Sequence, residues 1–210
     1  MPRLLKPLLL ITVVLVLPIV LLALTGESFT DQLARWQADP PSRPALAAAI
    51  VAILAADVIL PVPSGPVSTL AGSQLGVLLG TATSALGMTL GAVIAYALAR
   101  RYGRPLVERL TSPERLQHLE ASAVDHSPWM LALTRPLPII AEAAALFVGA
   151  LHAPLRVFLP PVILTNVALA AAYSALGAYA SHSGWLPLAI AASVALPLAV
   201  TLIISRRRTV

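Results

Sequence analysis

Apolar positions in this chain come in long runs, and the few polar positions punctuate them. Residues 4–24 are apolar with little interruption and predict a first membrane helix. Residues 25–43 then carry Glu27, Asp31, Arg35, Asp39 and Arg43, while Phe29, Leu33 and Trp36 recur at i, i+4 and i+7. That spacing predicts a short helix with one apolar stripe, lying in the membrane interface or packed on the protein. From 44 to 99 the chain is apolar with a single charge, Asp57. Such a stretch far exceeds the roughly 20 residues of one span. It is broken by "LPVPSGP" at 60–66, which packs Pro61, Pro63, Gly65 and Pro66 into seven positions. No continuous helix survives that density of proline. The pattern therefore predicts half-length arms at 44–60 and 67–79, then a full helix over about 80–99.

Residues 100–127 are polar, and "SPER" at 112–115 reads as a helix start, with Ser112 as N-cap and Pro113 at the first helical position. The theme then repeats. Residues 128–150 are apolar and are interrupted by "RPLP" at 135–138, which holds Pro136 and Pro138. A short turn with His152, Pro154 and Arg156 leads to a predicted helix over 157–180, a link at His182–Gly184 and a last helix over 185–204. The chain ends on a basic tail, Arg206–Arg208.

Composition turns this pattern into a class. The chain is 58% hydrophobic and 11% charged over 210 residues, whereas a soluble domain carries about 25% charge. This is the signature of an all-α polytopic membrane protein with no soluble domain of any size. The first 25 residues share features with a signal peptide, but the apolar run from Leu8 to Leu24 is long for a cleaved one, so a retained helix is expected. Cysteine is absent, which removes disulfides and thiolate chemistry.

Charge also chooses a topology. If both broken segments crossed the membrane, six Lys/Arg would lie inside and seven outside, Arg135 apart. If both dip in and return on the same side, eleven lie inside and two outside. Positive residues favour the cytoplasmic side, so two re-entrant hairpins are expected, with both termini inside. The two hairpin-plus-helix units also look alike. Gly72 to Tyr96 spans 24 residues, as does Gly149 to Tyr173. Under the re-entrant topology the two units are inverted, an arrangement common in secondary transporters. The predicted organisation is 1–43 as N-terminal and interfacial helices, 44–184 as a core with hairpins at 44–79 and 128–150, and 185–210 as C-terminal helix and tail.

Candidate chemistry sits at the breaks. Non-helical backbone at membrane depth must be buried in protein or line a wet cavity. Arg135 either binds an anionic group there or snorkels to the surface. Asp57 either carries a proton and partners Arg135, or caps the N–H groups of the next arm. Glu142 either protonates or offsets the charge of Arg135. Gly72, Gly76 and Gly80, and Gly87 with Gly91, have GxxxG spacing that allows close helix approach, with a homodimer face as the second reading. Gly149 joins them as a packing position of the second unit. Asn166 is a lone polar residue in a helix that can bond across the bundle. His118, His126, His152 and His182 fall in loops without metal-ligand spacing, and neither a P-loop nor a GxSxG motif is present. No metal, cofactor or enzymatic step is expected.

"DVILPVPSGPVSTLAGSQLG", "GAVIAYALARRYGR" and "LTRPLPIIAEAAALFVGAL" together resemble the DedA family, also called the VTT-domain or SNARE-associated Golgi protein family, over roughly residues 45–180. The resemblance implies two membrane-embedded hairpins in a bacterial inner-membrane protein. It also implies translocation or scrambling of a lipid, with undecaprenyl phosphate and phosphatidylethanolamine among the candidates and protons as a candidate coupling ion. The family's acidic first-hairpin and arginine second-hairpin positions carry over to Asp57 and Arg135. Two departures stand out. Many members hold a Glu just after the first Pro-x-Pro, where this chain has Ser64-Gly65. Many hold a second Arg in the second hairpin, where this chain has Glu142. A small-solute or ion transporter, and a non-transporting membrane organiser, are the alternative expectations.

Overall fold

The computed structural model describes residues 41–58, 62–112, 114, 116, 118, 128–134 and 138–195. The helix expected at 4–24, most of the interfacial stretch, Pro61, Arg135, Pro136 and the basic tail lie outside these residues. The chain divides into two compact units, Met1–Leu46 and Ala47–Val210. Of the first, only its end is described, where the Leu46 N–H donates to the Ser42 carbonyl at 2.9 Å.

Every element among the described residues is helical. Helix α1 (Arg43–Ala55) is rich in alanine, with Pro44 in its first turn, where a missing N–H loses no intrahelical bond. It tightens into a 3₁₀ turn at Ala56–Val58. Helix α2 (Ser64–Leu75) follows, and after Gly76 comes α3 (Val77–Tyr102). A short α4 (Arg104–Leu110) follows α3. Beyond it the Leu116 N–H bonds the Ser112 carbonyl at 2.9 Å, as a helix start at "SPER" requires. Helix α5 (128–134) precedes the second break, then α6 (Pro138–Ala150), the long α7 (Leu155–His182) and α8 (Leu186–Ala195).

The first break falls where prolines were read, with one shift. α1 stops at Ala55 instead of reaching 60, and α2 begins at Ser64, so Gly65 and Pro66 form its first turn and do not belong to the break. Proline is accepted there because first-turn N–H groups have no intrahelical partner. Pro138 opens α6 in the same way. Gly76, read as a packing glycine, makes the corner between α2 and α3 at φ +83°, a conformation that a side chain would strain. Its N–H closes α2 on the Gly72 carbonyl at 3.0 Å. The matching corner after α6 is built differently. His152 takes the left-handed position at φ 57°. Its N–H bonds the Gly149 carbonyl, that of Ala153 bonds the Val148 carbonyl, and Pro154 blocks further α6.

Small residues decide how the helices cross. A Cβ on Gly87 would meet Leu54 and Val51 of α1, and one on Gly91 would sit 2.9 Å from the Leu54 carbonyl. So α1 runs alongside α3 in the same sense. A Cβ on Gly80 would lie 2.9 Å from Gly72, at the opposite end of α2 from the break, so α2 runs against α3. α1 and α2 therefore run in opposite directions, and the chain reverses between them. Gly72 packs on the Ser174 backbone of α7, Gly177 on the Thr69 backbone of α2, and Gly149 on the Tyr96 backbone of α3. These glycines fill crossings within the chain. α3 and α7 are antiparallel: Tyr96 stacks on Phe158 with ring centroids 4.6 Å apart, while Thr89 meets Asn166 further back along α3.

One end of the bundle is clamped. The Tyr96 hydroxyl donates to the Ala153 carbonyl at 2.6 Å, and the Arg100 guanidinium donates to both, at 2.9 and 3.1 Å. The surrounding core contains Ala92, Ala95, Leu131, Ala145, Val148 and Val162. Many large apolar side chains also face outward. Leu78 is 87% and Leu164 71% exposed, with Leu86, Leu90, Ile94 and Leu98 also open along α3. A water-soluble protein does not present such faces.

Candidate functional site

The two carboxylates singled out in the sequence meet. Asp57, in the 3₁₀ turn after α1, and Glu142, in the first turns of α6, line one small cavity. Ser64 at the start of α2 lines it too, as do Met88 and Gly91 of α3 and Asn166 of α7. Residues of α1, α2, α3, α6 and α7 thus share the lining, where the glycine crossings hold the helices close.

Each polar group has a local reason for its position. The Asp57 carboxylate accepts the Val62 N–H at 2.7 Å, across the break. This is part of the capping role the sequence allowed, and it pins the carboxylate at the mouth of the turn. Glu142 is half-buried on α6. Asn166 is 1% exposed and donates from its side-chain amide to the Thr89 hydroxyl at 3.1 Å. Buried amides in apolar surroundings are kept only when hydrogen-bonded. Arg135, the cation expected in this neighbourhood, lies outside the described residues, as does its expected neighbour Pro136.

The cavity measures about 20 Å³, close to the room one water needs. It is therefore too small for a lipid headgroup in this conformation, and its wall sets Asp57, Ser64, Glu142 and Asn166 among apolar residues. Its depth follows from the helices. α3, with 26 residues, and α7, with 28, are long and apolar enough to cross a membrane. At 1.5 Å per residue each spans about 40 Å, against roughly 30 Å of hydrocarbon. Thr89 stands halfway along α3 and Asn166 near the middle of α7.

Asn166 and Thr89 are the central polar pair whose meeting the sequence reading did not predict. A signal for them was present: they lie 77 positions apart, the offset that also relates Gly72 to Gly149 and Tyr96 to Tyr173. Among the described residues, no group of three or more His, Cys, Asp or Glu side chains is placed to hold a metal ion.

Two long apolar helices around a pocket of carboxylates and an amide define a helical membrane protein with a polar centre. The comparison with known families makes that specific: the VTT domain matches residues 62–179, more than half of the chain, and the chain belongs to that family, the DedA or SNARE-associated Golgi protein family. No curated protein and no solved structure matches it significantly.

Proposed function

We propose that this protein moves the polar part of a membrane lipid, a phospholipid or polyprenyl phosphate, between leaflets of a bacterial inner membrane. The observation that carries the reading is the convergence of Asp57, Glu142 and Asn166 on one pocket midway along the two apolar helices. Ionisable groups at that depth are expensive and are kept for substrate or proton pathways. Acyl chains stay in the bilayer in this mechanism, and only the headgroup crosses. Asp57 and Glu142 bind or gate it and exchange protons, and Arg135 attracts its phosphate.

The pocket's small volume requires the protein to open before a headgroup enters. An inverted pair of re-entrant units supplies the means, since one unit can rock against the other. The reciprocal contacts support that pairing. Gly149 packs on Tyr96 and Gly72 packs next to Tyr173, each unit's glycine resting on the other unit's long helix. At the centre Thr89 bonds Asn166, its own counterpart at the 77-residue offset. Two equivalent positions can touch only where the axis relating them passes.

The same small pocket favours a second reading, a carrier of protons or small ions. The organiser reading receives least support, because the glycines that would form its dimer face are occupied within the chain. Translocation of headgroup-labelled lipid in proteoliposomes, with and without a pH gradient, tests the proposal. Wild type should exceed empty vesicles. Asp57→Asn, Glu142→Gln and Arg135→Ala should each slow it about ten- to a hundredfold, the scale of a lost charge-assisted hydrogen bond. No acceleration by wild type with either phospholipid or polyprenyl phosphate sinks the lipid reading, and uptake of small ions is then the assay to run.

A further inference from the structure

Asn166 has more hydrogen-bonding capacity than the protein uses. A primary amide carries two N–H donors and a carbonyl with two lone pairs. One N–H goes to the Thr89 hydroxyl. The other N–H and the carbonyl make no hydrogen bond to described residues, although the side chain is 99% buried and lines the pocket shared by Asp57 and Glu142. An amide serving only as glue between α3 and α7 needs no place in the wall of the pocket, whereas Asn166 bonds Thr89 and lines that wall as well.

We propose that Asn166 is a binding residue of the pocket: Thr89 fixes its orientation, and its carbonyl and second N–H contact the occupant. The inference rests on the transport reading for the identity of that occupant, a polar lipid headgroup that both donates and accepts hydrogen bonds. The division of roles is specific. Thr89 lies on the far side of the amide and is a positioning residue. Asn166 contacts the occupant. The amide is neutral at every pH, so its contribution is to affinity and leaves the pH profile to the two carboxylates. Because Thr89 and Asn166 sit at the junction of the two units, the occupant's binding also reports on how those units are set against each other.

The test uses the full chain in two measurements. In the first, detergent-solubilised protein is titrated with dioctanoyl phosphatidylethanolamine and its thermal unfolding temperature is followed. In the second, proteoliposomes translocate acyl-labelled phosphatidylethanolamine bearing its natural headgroup. Asn166→Ala should raise the half-saturating lipid concentration about tenfold in both, with the pH profile of translocation unchanged. Thr89→Val, which removes only the orienting bond, should raise it about threefold. A merely structural amide predicts another pattern: both variants lower the lipid-free unfolding temperature equally and leave half-saturation at the wild-type value. That pattern overturns the proposal, as does the absence of lipid stabilisation in wild type. Lipid stabilisation lost in Asn166→Ala without translocation by wild type upholds the binding residue and refutes the transport reading. Translocation by wild type with an unshifted Asn166→Ala does the reverse.

Discussion

Glu142 has a counterpart one unit away, and that counterpart is Gly65, since the two are separated by the same 77 positions as Thr89 and Asn166. The position next to it, Ser64, lines the pocket together with Glu142. The resemblance drawn from the sequence implies a Glu at the Ser64-Gly65 place in many members. Here Glu142 lines the same pocket as Ser64, so under the proposed inverted pairing the charge would be relocated and not lost. If that is the physics, the acid can be moved back. Glu142→Gln should slow translocation, and adding Ser64→Glu to it should recover at least a third of the wild-type rate in the proteoliposome assay. A double variant slower than Glu142→Gln alone would show that Ser64 and Glu142 are not interchangeable walls. Asp57 and Glu142 were legible as candidates because charge in an apolar run is costly. Their meeting was not, since distance across a fold has no local signal. Asn166 was discounted because a single amide also fits a purely structural bond.

Elements were more legible than residues. Prolines mark where a helix cannot continue whatever the tertiary context, and among the described residues helices begin at Ser64, just after Pro63, and at Pro138. Their edges moved by a few positions because a helix accepts proline in its first turn, which draws Pro66 into α2 and Pro138 into α6. GxxxG spacing announced close approach but not with what, and Gly76 proved to be a corner. The crossings make a clear prediction. Gly72→Leu and Gly149→Leu place atoms inside the backbones of α7 and α3, and overpacking of this kind costs about 1–3 kcal/mol or more. Each should reduce the yield of monodisperse protein in size-exclusion chromatography several-fold. Ala82→Leu, on an exposed position of α3, is the control and should elute as wild type does.

At the scale of the whole molecule, the proposed inverted arrangement has a direct readout. Leu78 is the second residue of α3 and Leu155 the first of α7, 77 positions apart, and both are exposed. The native chain has no cysteine, so single reporters need no background removal. Leu78→Cys and Leu155→Cys should react with an impermeant thiol reagent from opposite sides of the membrane, Leu78→Cys from outside. Labelling of both from one side would refute the inversion. The arginines set the expected cytoplasmic side; the axis could not be read from the sequence, because identity between the two units is weak, and it is the reciprocal contacts that support it. One feature breaks the equivalence. Tyr96, Arg100 and Ala153 form a clamp at one end, whereas the matching positions at the other end are Tyr173, Gly177 and Gly76. A machine made of two like halves would rest with no preference between its two postures. Under the transport cycle proposed above, a single guanidinium bolts one door and leaves the other on the latch, so the side on which the molecule waits would be written into its own chain.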